Sequence, residues 1–254
     1  MLETRKLTKH FKGVLAVNDL DLNVNAGEIV GIIGPNGAGK TTTFNLITGY
    51  VQPTKGEVIF NSTDITGQKA HRIAKYGVVR TFQLDRIFHN LSVLQNVLTA
   101  SHLYAGIGLW EAALNTCGYR NKNRNTHDHA MKTLKFMGLD DKKDEIARNL
   151  PHGHQKLLGI AIALAANPKV LLLDEPLGGM NPAEVDATLE IIGEIRKRGT
   201  AILLVEHNMQ AVMKICDSIV VLNFGMEIAR GLPEEVQKDK GVIQAYLGTK
   251  RFHT

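Results

Sequence analysis

The run Gly34-Pro-Asn-Gly-Ala-Gly39-Lys40-Thr41 fits the spacing G-x-x-x-x-G-K-[ST], and the chemistry of that spacing is the holding of a polyphosphate. Gly34, Gly37 and Gly39 let backbone N–H groups crowd around a pyrophosphate where side chains would collide. Lys40 reaches toward the β- and γ-phosphates, the Thr41 hydroxyl can ligate Mg²⁺, and the helix start adds partial positive charge. Pro35, Asn36 and Ala38 complete the loop, and Thr42 follows in the first helical turn. A second pair of chemical groups, Asp174-Glu175, ends the aliphatic run "PKVLLLDEP". Next to a bound polyphosphate, an Asp at a strand end holds Mg²⁺ through water and a following Glu orients or deprotonates the attacking water. Without the phosphate loop the same pair would read as surface acids. "TAILLVEH" ends at His207. A histidine there can donate to a transferring phosphate and fix the water-orienting acid, the alternative being a purely structural residue. Phe11 offers a π-face on which a base can stack, or an ordinary core side chain, and spacing leaves both open.

His152-Gly153-His154 poses a separate question. In an extended segment i and i+2 side chains share a face, which would suit a metal chelate. No third or fourth ligand follows at zinc-site spacing, however. The other reading is an altered remnant of a segment that touches nucleotide.

The elements that must carry these groups are legible from periodicity. Ile29 to Ile33 reads as a short buried strand and Thr41 to Thr48 as the start of a helix. Leu20, Leu22 and Val24 alternate with polar partners, the period of a half-buried strand, before a turn at Ala26-Gly27. The runs ending at Asp174 and His207 read as strands buried on both faces. After His207, "SIVVLNFGMEIARG" reads as a hairpin turning at Asn223-Phe224-Gly225, and "PEEVQKDKGVIQAYLG" as a helical tail. Between Gln83 and Leu150 the character changes. A helix starts at Leu91-Ser92 with Leu94, Val97 and Leu98 on one face, and "HDHAMKTLKFMGLDD" forms another, ended by Gly138. The basic stretch "GYRNKNRNTHDH" between them reads as a solvated loop, with an approach to lipid headgroups or a membrane protein as the alternative. The result is an α/β core interrupted by a helical insertion.

Composition sets the outer bounds. The 254 residues, 44% of them hydrophobic, suffice for one large domain carrying an insertion. No stretch of 18 apolar residues occurs, so the chain is not expected to span a bilayer. Cys117 and Cys216 form no ligand or disulfide pattern and suit a reducing compartment, and "MLETRKLTKH" has no signal-peptide core. A net charge of +5 fits anionic ligands without naming a partner.

With the phosphate loop, Asp174-Glu175 and His207 in this order, the chain resembles the nucleotide-binding subunit of an ABC transporter over essentially its whole length. The resemblance implies an α/β fold: a P-loop NTPase core with an N-terminal antiparallel β subdomain and an inserted helical subdomain, one domain over 1–254 with the insertion at approximately 84–165. It places Gln83 of "VVRTFQ" at the Q-loop, as a Mg²⁺ sensor and catalytic residue, Asn181 of "GGMNP" in the D-loop, and Phe11 at the adenine-stacking aromatic. Leu150 to Gln155 falls where the family carries its L-S-G-G-Q signature, which caps the γ-phosphate bound by the other subunit of an ATP-sandwiched dimer. Gly153 is retained there, but Pro151 replaces the serine, His152 the first glycine and His154 the glutamine.

The chain further resembles the importers of branched-chain and other hydrophobic amino acids in "GVVRTFQ", "FNLITGY", the N of "GMNP" and "VIQAYLG". These carry L-P-Y-G where this sequence has L-P-H-G. The implied cofactors are ATP and Mg²⁺. The implied partners are integral-membrane permease subunits, a second ATP-binding subunit of the same or another chain and, indirectly, a substrate-binding protein, with no nucleic acid. The implied location is peripheral, on the cytoplasmic face of the inner membrane. The altered signature suggests low intrinsic ATPase activity or pairing with a more standard subunit. The alternatives are a soluble ABC ATPase, a cassette for amides, urea or a lipid-linked cargo, and a different P-loop enzyme such as a small-molecule kinase.

Overall fold

A computed structural model describes residues 1–81, 87–105 and 117–247. The chain divides into two compact units, one of residues 1–78, 169–175 and 192–254, the other of residues 79–168 and 176–191.

The first unit is built on two sheets. In one, β1 (Leu2–Phe11) lies between β2 (Val14–Val24) and β4 (Lys55–Phe60), all antiparallel, and β4 continues to the short β5 (Thr63–Asp64). Leu20, Leu22 and Val24 are buried as their alternation requires. β1 was not legible as a strand. Its buried residues Leu2 and Leu7 are separated by a register shift between Thr4 and Leu7, with Lys6 at φ 47°, so no clean period of two survives.

The second sheet orders β10 (Met226–Gly231), β9 (Ser218–Asn223), β3 (Ile29–Ile33), β8 (Ala201–Val205) and β7 (Val170–Asp174). β3 is parallel to both β8 and β9, and β7 is parallel to β8. Every residue of β3, β7 and β8 is buried, as runs covered on both faces demand. β10 returns antiparallel to β9 through the two-residue turn Phe224-Gly225, at φ 47° and 79°, the backbone of a tight primed hairpin turn. Gly77 closes α2 (Ala70–Tyr76) and its carbonyl accepts the N–H groups of Lys169 and Val170. The chain leaves this unit through β6 (Val78–Arg80).

The second unit is helical. α3 (Val93–Ala105) packs against both α4 (Cys117–Phe136) and α5 (His152–Ala165). Ser92 and Gln95 exchange side-chain-to-backbone bonds ahead of α3, a capping box at the expected start. The basic stretch expected to be a solvated loop is helical, since α4 runs through it from Cys117. The reason is tertiary: Thr126, Ala130, Thr133, Leu134 and Met137 bury one face at helical spacing and outweigh the weak propensity of an asparagine-rich run. α6 (Pro182–Lys197) begins in this unit and ends in the first. The expected single helical tail is two helices, α8 (Pro233–Lys238) and α9 (Lys240–Leu247), following α7 (Met209–Ile215). They part at Asp239, which is extended and whose Oδ1 accepts the N–H of Val242.

Candidate functional site

The phosphate loop joins β3 to α1 (Lys40–Ile47) in the first unit. Gly34 and Gly39 sit at φ 151° and 106°, where a side chain is strained. They are also hemmed in by backbone. A Cβ on Gly34 would stand 2.1 Å from the Leu222 carbonyl oxygen, and one on Gly39 2.4 Å from that of Ala16. The β9–β10 hairpin completes the brace, since Gly225 N–H donates to the Ala38 carbonyl at 3.0 Å. α1 has no side-chain cap, so its first N–H groups are left to the loop and to an anion. Lys40 lies inside its own loop, its Nζ donating to the carbonyls of Gly34 at 2.7 Å and Pro35 at 3.0 Å. Burial draws its ammonium below the ordinary lysine value, against an upward pull from Glu175 and Asp174. Thr41 is exposed, Pro35 and Thr42 are half-buried, Asn36 and Gly37 are exposed, and Ala38 is buried.

The acids and the histidine arrive on neighbouring strands. Val205 of β8 is in register with both Ile32 of β3 and Asp174 of β7. The phosphate loop, Glu175 and His207 therefore leave the carboxyl ends of three adjacent parallel strands, the place where open α/β sheets bind ligands. Asp174 is buried, while the side chains of Glu175 and His207 keep 44% and 45% of their surface in solvent. His207 Nε2 lies 2.8 Å from Glu175 Oε1. Glu175 adopts φ 47°, a strained backbone for a non-glycine residue, and its N–H is held by the Val205 carbonyl at 2.9 Å. Thr41 and Asp174 carry oxygen atoms of the hard kind that Mg²⁺ takes. An ion bound mainly through phosphate and water needs only one or two such groups.

Sequence reading missed Glu206. Its carboxylate is buried, and its Oε2 accepts the N–H groups of His207 at 2.9 Å and Asn208 at 3.4 Å, fixing the backbone that presents the histidine. An acid inside the aliphatic run "ILLVEH" was the available signal, because a buried carboxylate must be partnered. Tyr246 of α9 was missed too. Burial raises its phenol, while a hydrogen bond with the Gly34 backbone pulls the other way.

Phe11 ends β1 and is 44% exposed, which removes the core-packing reading. Lys9 Nζ sits 5.0 Å from the centre of its ring and donates to the Gln52 carbonyl at 2.7 Å, so a cation–π contact holds the aromatic in place.

The remaining candidates lie elsewhere. Gln83 falls outside the described residues. In the second unit Pro151 is the N-cap of α5, with no side-chain cap, and Gly153 is buried in the first turn. The chelate reading of His152 and His154 needed an extended segment. Both are helical, where i and i+2 side chains diverge by roughly 200°. Asn181 caps α6 reciprocally with Glu184: Asn181 N–H donates to Glu184 Oε2 at 2.9 Å, and Glu184 N–H to Asn181 Oδ1 at 3.0 Å. Among the described residues no helix is long and apolar enough to cross a membrane.

Known proteins resemble this chain over nearly its whole length. The ABC transporter family pattern matches residues 17–178, and that of the branched-chain amino acid ATP-binding cassette transporters matches residues 227–251. The chain is 42% identical, over 98% of its own length and 98% of the relative's, to the high-affinity branched-chain amino acid transport ATP-binding protein LivG of Salmonella typhimurium. It is 40% identical, with the same coverage, to the corresponding protein BraF of Pseudomonas aeruginosa. Its fold is similar to the crystal structure of the ADP conformation of an ATP-binding cassette of an ABC transporter, with a TM-score of 0.86, 31% identity and 98% of each chain covered. The chain belongs to the ABC transporter family of ATP-binding proteins.

Proposed function

We propose that this chain is the ATP-hydrolysing subunit of a membrane importer for branched-chain or other hydrophobic amino acids. The observation that carries the reading is the convergence, on three adjacent strand ends, of the braced phosphate loop and the Glu175–His207 pair. The cargo is carried over from LivG and BraF, the branched-chain amino acid transport proteins that the chain resembles, and from the separate match at 227–251.

In this reading ATP enters with its phosphates in the loop from Gly34 to Thr42 and its adenine on Phe11. Lys40 exchanges its loop carbonyls for β- and γ-phosphate oxygens. Thr41, Asp174 and Gln83 would hold Mg²⁺, which would supply charge neutralisation at the phosphates. Glu175 orients the attacking water, and His207, fixed by Glu206 from behind, holds both Glu175 and the γ-phosphate. Two such cassettes, alike or different, sandwich ATP between the loop of one and the 150–155 segment of the other, with Gly153 allowing close approach. Binding closes the pair and hydrolysis reopens it, which drives the permease between two states. The chain is then one nucleotide-binding domain with a helical insertion at approximately 84–165 that meets the permease, peripheral on the cytoplasmic membrane face.

The test is Glu175→Gln. Turnover should fall about a hundredfold or more while Mg-ATP affinity stays near wild type. In the native host, the tagged variant extracted in mild detergent with Mg-ATP should bring down integral-membrane permease subunits. Retained hydrolysis would remove Glu175 from the chemistry, and recovery of soluble partners alone would favour a soluble ABC ATPase.

A further inference from the structure

Within the second unit the 150–155 segment and the 177–181 segment meet through His152. Its Nε2 lies 3.2 Å from the Gly178 carbonyl oxygen. A carbonyl only accepts, so Nε2 is the nitrogen that carries the proton, in the neutral ring as in the cation. The ring also covers the next residue. Gly179 sits at φ 78°, and a Cβ there would stand 2.8 Å from Nε2 and 2.9 Å from Cδ2. One position along, Gly153 lies so close to Glu184 that a Cβ would come within 2.8 Å of Oε1. Glu184 is the residue already locked to Asn181 by the reciprocal cap. Two consecutive residues at the start of α5 thus read the approach to α6, one by a hydrogen bond and one by contact.

We propose that His152 is a positioning residue that locks the loop before α6 to the start of α5, so that both segments reach a second cassette's nucleotide as one surface. The inference rests on the proposed function, because it is the partner's ATP that the joined segments serve. The two parts of the side chain have separable jobs: the flat ring fills the space above Gly179, and the N–H holds Gly178. Phenylalanine keeps the first and loses the second, while tyrosine offers a flat ring with a donor at its tip.

The experiment compares wild type, His152→Phe and His152→Tyr in the full chain. It reads Mg-ATP affinity in dilute protein, ATP turnover as protein concentration rises, and melting temperature. The Phe variant should lose turnover about two- to tenfold, the range expected of one hydrogen bond, with dilute-protein affinity unchanged and melting temperature lowered by no more than about 2–4 °C. The Tyr variant should return to within about twofold of wild type. Full turnover in the Phe variant overturns the inference. So does a loss that tracks melting temperature or nucleotide affinity, or a Tyr variant that fails to rescue. A wild-type chain that binds no Mg-ATP, or that hydrolyses none even in the complex with which it co-purifies, would take down the proposed function itself, a result read before the variants are compared, and the inference would fall with it.

Discussion

The starts of α1 and α5 are built on opposite principles. α1 begins after Gly39 and α5 after Pro151, and neither has a side-chain cap. The loop before α1 is shaped by backbone pressed on backbone, with Leu222 and Ala16 carbonyls against Gly34 and Gly39, and Gly225 bonded to Ala38. The start of α5 is shaped by side chains: His152 on Gly178, Glu184 beside Gly153, and Gln155 Nε2 donating to the Leu150 carbonyl at 2.9 Å. Backbone contacts admit glycine and little else, because nothing at the obstacle can rotate away. Side-chain contacts can be remade with another ring or another donor. That difference explains why the first segment keeps its motif letter for letter while the second reads as an altered one.

The harshest way to break this comparison is Gly34→Ala. The new methyl group meets a carbonyl oxygen of a buried strand at a strained φ, and neither can give way. Destabilisation of about 3 kcal/mol or more is expected, which lowers the melting temperature by on the order of 10 °C in a chain of this size. Mg-ATP binding should be lost with it. A stable alanine variant with wild-type affinity would mean that the hairpin does not brace the loop.

The same contrast decides what the sequence made legible. Gly34 to Thr41, Asp174, Glu175 and His207 could be read because each is fixed by a local run, a loop or the last residue of an aliphatic strand. Leu20, Leu22 and Val24 were legible by their alternation. The start of α3 and the end of α4 were legible by caps: Ser92 with Gln95, and Gly138 at φ 66°. What failed depended on three-dimensional partners, near or far in the chain. The helix through "GYRNKNRNTHDH" depends on burial further along α4, and β1 on a bulge that broke its alternation. Glu206 depends on the two N–H groups that it partners, Tyr246 on a loop some two hundred residues earlier (roughly 3.8 Å of trans chain per residue), and His152 on a carbonyl beyond β7. Composition and period carry no record of such pairings.

A gentler variant sharpens the comparison from the other side. Pro151→Ser puts a hydroxyl at the N-cap of α5, where it can accept a first-turn N–H or reach a phosphate. Caps of this kind contribute about 1 kcal/mol, so turnover should rise about fivefold at most, with dilute-protein nucleotide affinity unchanged. Steady-state ATPase of the two proteins, side by side, is the measurement. Unchanged turnover would mean that the missing serine is not what limits this cassette, and would leave pairing with a more standard subunit as the account of the altered segment.

The smallest effect is the most discriminating. Gly153→Ala meets a carboxylate, which can move, but only by releasing its bond to Asn181. The cost should be that of one reciprocal cap, about 1 kcal/mol, or a shift of about 2–4 °C in melting temperature. Glu184→Ala alone should cost a similar amount by removing the cap outright. In the double variant the new methyl group enters space that the carboxylate has vacated, so the two costs should fall short of additive by about 0.5–1 kcal/mol. Melting curves of the four proteins measure that coupling directly. Additive costs would show that Gly153 and Glu184 act independently, and the start of α5 would then owe its position to His152 and Gln155 alone.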